Sequence, residues 1–206
     1  MSWPKRLLDL ALATVVGLVL ALPFAVLVGV LLVTSGRPIF YRSERMKAPG
    51  QPFTLWKLRT MTTVAGDAGV SGGDKAGRIT RAGRFLRRTR ADEIPQLWNV
   101  LRGDMSMVGP RPPLRIYVER FPDLYARVLR SRPGVTGLAT LTYHRHEEWI
   151  LARCRTPEET DHAYAARCVP AKARIDLIYQ RHHSICLDLA ILAKTVRRAA
   201  TRRATG

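Results

Sequence analysis

The alternation of apolar and polar positions divides the chain at about residue 36. From Leu10 to Val33 the sequence runs LALATVVGLVLALPFAVLVGVLLV, without a charge and with Thr14 as its one polar side chain. A run of this length meets the roughly 20 residues that a bilayer core requires. It also exceeds the about 7 to 15 residues of a signal peptide's apolar region, so a retained, lipid-embedded helix is expected. Pro23 lies near its middle, where a missing N–H and a ring crowding the preceding turn predict a kink. Each half then offers about 18 Å of helix against a hydrocarbon core of about 30 Å. Lys5 and Arg6 precede the run, and Arg37, Arg42, Arg45 and Lys47 follow it. Positive flanks mark the cytoplasmic side, and here both ends carry them. The expected arrangement is a re-entrant helix-break-helix over residues 1–36 with both ends on one side. A crossing helix with a tolerated proline is the alternative.

Beyond Ser35-Gly36-Arg37-Pro38, a helix-stopping turn, the periods shorten. Ile39-Phe40-Tyr41 and Phe53-Thr54-Leu55-Trp56 are β-prone runs separated by Ala48-Pro49-Gly50-Gln51-Pro52, which predicts a small hairpin. Alternation puts Lys57 and Arg59 on one side of the second strand. They are placed either to meet phosphate or to defend a solvated edge. Residues 62–78 hold Gly66, Gly69, Gly72, Gly73 and Gly77 with little to bury. That stretch is expected to be a loop, either a lid or disordered, and its spacing does not match a P-loop. Helical spacing returns over Ile116–Arg130. Ser184 then caps a C-terminal helix on which Ile185, Leu189, Leu192 and Val196 share a face, ahead of Arg197, Arg198, Arg202 and Arg203. Such an amphipathic basic end either lies on anionic lipid or packs on the core with a solvated tail. The fold class expected is α/β, mostly helical with a few short strands, with residues 37–206 forming a cytosolic, membrane-associated domain.

The chemistry gathers between Arg87 and Pro112, RRTRADEIPQLWNVLRGDMSMVGPRP. Thr89 is positioned to cap a helix beginning near Arg90, with Asp92 completing a T-x-x-D box. Leu97, Val100 and Leu101 would line one face of that helix. Pro95 requires that the regular helix start near it or that the first turn be irregular. Either way, Asp92 and Glu93 stand at a helix entrance, where negative charge complements the dipole. Arginines on both sides of the pair, Arg87, Arg88 and Arg90 before it and Arg111 between Pro110 and Pro112 after it, add a second reading. Guanidinium groups bind phosphate oxygens in pairs, and the prolines restrict the backbone that aims Arg111. Carboxylates beside aimed cations point to phosphoryl transfer.

Composition sharpens this. The 206 residues carry 34 Lys+Arg against 16 Asp+Glu, a formal net charge of +18, which calls for an anionic partner. No nucleic-acid motif or aromatic-basic interleaving is present, so nucleic acid is not expected, and a membrane-anchored basic scaffold without catalysis is the competing class. His144 and His146 lack a Cys or carboxylate pattern that would complete a tetrahedral metal site. Cys154, Cys168 and Cys186 show no paired spacing.

The string ADEIPQLWNVLRGDMSMVGPRP resembles the signature of the bacterial sugar transferase family, the monotopic phosphoglycosyl transferases. The resemblance runs from Lys5-Arg6-Leu7-Leu8-Asp9 to Asp188-Leu189-Ala190-Ile191-Leu192. Lys57-Leu58-Arg59-Thr60-Met61 is similar to the family's K-F-R-T-M, Pro133-Gly134-Val135-Thr136-Gly137 to its P-G-I-T-G, and Asp176-Leu177-Ile178-Tyr179 to its D-x-x-Y. The chain departs from the family at Ala91, usually Leu, and at Leu22, where many members have Ser before the proline. It departs again at Thr140-Leu141-Thr142-Tyr143-His144-Arg145, where many carry a Q-V-N-G-R-like sequence.

The resemblance implies transfer of a sugar-1-phosphate from a UDP-sugar to polyprenol (undecaprenyl) phosphate through a phosphosugar-aspartyl enzyme, with UMP released. That step starts lipid-linked glycan assembly, for an exopolysaccharide, O-antigen, capsule or glycoprotein, at the cytoplasmic face of the bacterial inner membrane. It implies Asp92 as nucleophile, and Glu93 as its partner in binding Mg²⁺ or assisting proton transfer. Lys57, Arg59, Arg87 and Arg111 would hold phosphates, with Arg145 replacing a shifted arginine. Asp176 would either approach the site or form a structural salt bridge. Anionic lipids are expected partners, and a homodimer is compatible with the sequence.

Overall fold

The computed structural model describes residues 2–62, 64, 70 and 72–204. Its first element inverts the ordinary rule of burial. Helix α1, Trp3–Ser35, exposes Leu18, Val19 and Leu22 at 70–74%, while Lys5 and Asp9 near its start are buried. Exposed leucine around buried charge is the pattern of a helix whose middle is not meant for water. It is also the one helix among the described residues that is long and apolar enough to cross a membrane. The two expected half-helices are a single continuous helix with Pro23 inside it. A proline deletes one backbone bond of the ladder, and the bonds on either side carry the helix through.

Both ends of α1 are fastened to the rest of the chain. At the start, Lys5 Nζ lies 3.0 Å from Asp9 Oδ1 and 2.7 Å from Asp188 Oδ2. Asp9 Oδ1 also accepts from the Met107 N–H at 3.1 Å, and Tyr179 OH donates to Asp188 Oδ1 at 2.6 Å. Arg6 donates to the carbonyls of Val100 and Leu101. At the far end, Leu31 packs with Leu58 and Leu86, and Arg59 donates to the Ser35 and Gly36 carbonyls at 2.7 and 3.2 Å. Lys5 and Arg6, expected as free flanking charges, are thus consumed inside the fold.

The expected hairpin forms as β1, Phe40–Ala48, and β2, Gln51–Leu58, paired antiparallel with Tyr41 opposite Lys57. Its strands are longer than the apolar runs alone indicated. The turn shrinks to Pro49-Gly50, with Gly50 at φ 70°, a conformation that favours glycine. Met61 and Ile79 bridge the base of the glycine-rich stretch, and Gly73–Arg78 forms a 3₁₀ turn tied down by Thr160 Oγ1 donating to Asp74 Oδ1 at 2.9 Å. The choice between lid and disorder falls largely on residues 63, 65–69 and 71, outside the described residues.

Helix α2, Arg81–Thr89, is followed by the 3₁₀ turn Ala91–Glu93, α3, Gln96–Arg102, and β3, Ser106–Val108. The helical run expected over 116–130 divides into α4, Arg115–Arg120, and α5, Pro122–Val128, because Pro122 suits the first turn of a new helix and not the interior of an old one. Strand β4, Gly134–Thr136, pairs in parallel with β3. Gly134 and Gly137 lie so close to the Gly109 backbone that a Cβ on either would overlap it. That contact fixes the turn leading into Arg111.

Helix α6, Leu138–Leu151, is followed by α7, Pro157–Ala163, and a π turn, Tyr164–Cys168. Helix α8, Val169–Arg181, and α9, Ile185–Ala204, complete the fold. Ser184 caps α9 as expected, accepting from Leu187 N at 3.1 Å. The core-facing side of α9 is Asp188 and Ile191, however, and Ile185, Leu189 and Val196 are exposed.

Candidate active site

Helix α2 begins at Thr80, whose hydroxyl accepts from Gly83 N at 2.9 Å, and ends at Thr89. The cap expected at Thr89, for a helix beginning near Arg90, does not form, and Thr89 is instead the last residue of α2. Thr89 Oγ1 instead donates back to the Phe85 and Leu86 carbonyls, as threonine does in a helix's last turn. Arg90 then takes φ 60°, the left-handed conformation that reverses the chain at some cost for a side-chain-bearing residue. The 3₁₀ turn Ala91–Glu93 follows, and Pro95 caps α3. The sequence expectation that Asp92 and Glu93 stand at an irregular helix entrance holds, and both are buried to 8% exposure. The face of α3 turned inward is Gln96, Asn99 and Val100, with Leu101 exposed. Asn99 bonds the Thr54 carbonyl and the Trp56 N–H, so it clamps α3 to β2.

The two acids meet opposite surroundings. Glu93 receives Arg90 Nη1 at 3.3 and 3.2 Å on its two oxygens, Arg111 Nη1 at 3.4 Å and Lys57 Nζ at 3.9 Å. Burial alone would raise its pKa, but Arg111, Lys57 and Arg90 outweigh burial and pull it down to about 2. Asp92 is pushed up from the ordinary carboxylate range by burial and by the adjacent Glu93 charge, against Lys57, Arg90 and Arg111. Its Oδ1 is buried and has no hydrogen-bond partner among the described residues. Neighbouring acids driven apart in this way take different roles.

Both line a cavity of about 710 Å³, within the size range of small-molecule sites. Lys57, Arg59, Arg87 and Arg111 also line it, as does Asp176 at the α8 wall. Burial, and then repulsion from Arg111, bring Lys57 down to about 8. Arg87 is lowered by burial, and its Nε donates to Thr60 Oγ1 at 2.9 Å. Arg59 lines the cavity as well, and its Nη2 donates to the end of α1. Arg145 is exposed and is not part of the wall. On the same helix, Thr140, His144, Glu147 and Glu148 face the cavity instead, since one residue along a helix turns a side chain by about 100°.

Sequence reasoning missed several of these residues. Arg45, lowered to about 10 by burial and by Arg111, lines the cavity with Tyr41 and Ser43, and the period of two along β1 was its available signal. Lys172, four residues before Asp176 on α8, and Glu147 were missed as well.

A profile of the bacterial sugar transferase family matches residues 1–202. The chain belongs to the bacterial sugar transferase family. This sugar transferase is 34% identical over 194 residues to the uncharacterized sugar transferase EpsL of Bacillus subtilis, covering 94% of the chain and 86% of that protein. It is also 34% identical over 196 residues to a UDP-glucose:undecaprenyl-phosphate glucose-1-phosphate transferase of Klebsiella pneumoniae, covering 93% of the chain but 39% of that protein. A UDP-N-acetylgalactosamine-undecaprenyl-phosphate N-acetylgalactosaminephosphotransferase of Aeromonas hydrophila is 31% identical over 206 residues, 96% of the chain and 44% of its own length. The sugar transferase thus spans less than half of either of these last two relatives.

The donors for a divalent cation are one-sided. Among the described residues, no group of three His, Cys, Asp or Glu side chains is placed to hold a metal. Mg²⁺ keeps several waters and is commonly held by one or two carboxylates plus substrate phosphates. Asp92 Oδ1 fits that mode as an orphaned buried oxygen. The Glu93 oxygens are already within 3.4 Å of arginine nitrogens.

Proposed function

We propose that this sugar transferase moves a sugar-1-phosphate from a UDP-sugar to polyprenol (undecaprenyl) phosphate in two displacements at Asp92, at the cytoplasmic face of the bacterial inner membrane, as the first step of a lipid-linked glycan. The observation that carries the reading is a buried carboxylate oxygen without a partner among the described residues, beside a wall of cations, in one cavity. Cations in excess of the acids they meet call for an anionic ligand, and a diphosphate supplies one.

In the first displacement, an Asp92 oxygen attacks the sugar-linked phosphorus, and the bond to the bridging oxygen breaks. UMP departs with that electron pair, leaving an acyl phosphate between Asp92 and the sugar. In the second, a polyprenol phosphate oxygen attacks the same phosphorus, and the Asp92 carboxylate is regenerated. Neither displacement needs a general base, because the attacking phosphate is largely ionised at neutral pH. Glu93, held ionised with its pKa at about 2, is unsuited to carrying a proton. It orients Arg90, Arg111 and Lys57 toward the phosphates, and Arg87 adds a further guanidinium. Mg²⁺, when bound, would neutralise diphosphate charge, with Asp92 as the protein donor open to it.

The lipid acceptor requires the cavity to meet a bilayer, and three surfaces support that. The middle of α1 is apolar and exposed. Phe85 is exposed among Arg81, Arg84 and Arg88 on α2, and Ile185, Leu189 and Val196 are exposed on α9. Apolar side chains ringed by arginine suit an anionic lipid surface. The fastening of both ends of α1 to one catalytic domain supports a re-entrant path, since a straight helix of its 33 residues would extend about 50 Å.

The test incubates the protein with radiolabelled UDP-sugars, with and without polyprenol phosphate. UMP release with label retained on Asp92, then chased into lipid, is expected. UMP release without any protein-bound label would remove the covalent step. For topology, cysteines at Ser2 and Gln51, with Cys186→Ser, should be labelled from the same side of sealed vesicles. Labelling from opposite sides would sink the re-entrant path.

A further inference from the structure

The cavity wall furthest in character from the phosphate clamp lies between α6 and α8. There Lys172 Nζ lies 3.0 Å from both oxygens of Glu147 and donates to Tyr164 OH at 3.2 Å. Asp176, on the same face of α8 one turn later, is 7% exposed, and its Oδ1 has no hydrogen-bond partner among the described residues. Tyr164 opens the π turn before α8, a backbone irregularity frequent at functional sites. A buried carboxylate oxygen without a partner costs stability unless a ligand completes it.

The ligand that completes it is not a phosphate. Arg111 acts on Glu147 and Lys172, but the one cation that acts on Asp176 is Lys172, itself bonded to Glu147, so a phosphate seated against Asp176 would meet net repulsion. Burial, only partly offset by Lys172, raises Asp176 to about 7, which makes its pocket a poor home for further negative charge. Acceptor oxygens beside an ammonium and a phenol match the hydroxyls of a sugar, each of which donates one hydrogen bond and accepts others. Uridine would use donors and acceptors too, but it belongs to the half that leaves. The retained half, the sugar attached to phosphorus, stays through both displacements and suits a wall whose Tyr164, Lys172 and Asp176 side chains are buried.

We infer that Asp176, with Lys172, Glu147 and Tyr164, forms the subsite for the sugar ring of the donor, Asp176 accepting a hydrogen bond from a ring hydroxyl. This rests on the proposed transferase reading, and the test separates the two. Full-length wild type, Asp176→Asn and Lys172→Met are assayed for UMP release with UDP-glucose, UDP-galactose, UDP-N-acetylglucosamine and UDP-N-acetylgalactosamine, and for competitive inhibition by UMP. The wild type should prefer one donor. Both variants should reduce the ratio of kcat/KM between that donor and its C4 epimer by about 10-fold or more, the size of one lost directional hydrogen bond to substrate, with the UMP inhibition constant changed less than about 2-fold. Asp176→Asn is isosteric and removes a buried titrating group, so its thermal stability should be retained. A uniform fall for all donors with their ranking preserved, or a weakening of UMP inhibition in step with KM, would overturn the subsite. Absence of UMP release by wild type from every donor would overturn the transferase reading itself.

Discussion

Around Lys5, two buried aspartates share one ammonium within 3.0 Å, and one also accepts a backbone N–H while the other accepts a tyrosine hydroxyl. Around Glu93, three cations share one carboxylate while neighbouring Asp92 keeps an oxygen without a hydrogen-bond partner among the described residues. Both groups are buried and ionic, and both join segments far apart in sequence. They differ in which sign is in excess, and the second lines the cavity of about 710 Å³. The first group fastens α1 to α9, and Asp9 Oδ2 there also has no hydrogen-bond partner among the described residues. On the proposed reading, the surplus cations of the second receive the donor's diphosphate. Burial of charge alone therefore does not mark a site; an uncovered acid beside surplus cations in an open cavity does.

The largest effect that tests this contrast is at Asp92. Asp92→Asn should lower UMP release by at least about 10⁴-fold while leaving the melting temperature unchanged or higher. The sign follows from the raised pKa: the folded state holds the proton more tightly than the unfolded chain, so above that pKa the ionised side chain costs stability, and the amide removes the cost. A destabilised but active variant would erase the distinction. Lys5→Met should do the reverse. Stripping the cation from two buried aspartates should cost about 3–5 kcal/mol in chemical denaturation, with donor KM in the folded fraction near wild type.

Glu93→Gln should slow turnover by about 10²-fold. It should also move the alkaline limb of the rate profile to lower pH, because Lys57 loses an anion that supports its charge. The smallest effect is in the wild-type profile itself. Activity should fall on the acid side as Asp92 protonates, above the ordinary carboxylate range, and on the alkaline side near pH 8 as Lys57 discharges. Glu93 acts on stability instead. Its depressed pKa contributes stability above the unfolded value of about 4.3, lost as pH falls toward 2. A rate profile flat through pH 8 would contradict Lys57, and an acid limb no higher than that of an ordinary aspartate would contradict Asp92.

Local rules made the hairpin, the Ser184 cap, the irregular entrance holding Asp92 and Glu93, and the proline-framed Arg111 legible in the sequence. What escaped depends on partners distant in the chain. Lys5 reads as a membrane-flanking charge until Asp188 is seen beside it. Arg59 reads as a phosphate ligand and lines the cavity, but that its Nη2 also holds the Ser35 carbonyl at 2.7 Å could not be read locally. Thr89 satisfies a capping pattern, but Thr80 satisfies one too, and the glycine that lets α2 pack against Thr60 follows Thr80 by three residues. Arg145 was chosen by its residue type, and the rotation of α6 presents His144 and Glu147 in its place. The π turn that precedes α8 left no local signature.

The crossing of Gly109 with Gly134 and Gly137 carries one more consequence. Because a methyl group at any of these positions would wedge the two strands apart, the turn bearing Arg111 has no independent freedom to drift under mutation. If the sugar subsite lies where proposed, variation that retunes the enzyme toward another donor would fall on α6 and α8, where side chains can be exchanged without disturbing the backbone that aims the guanidinium.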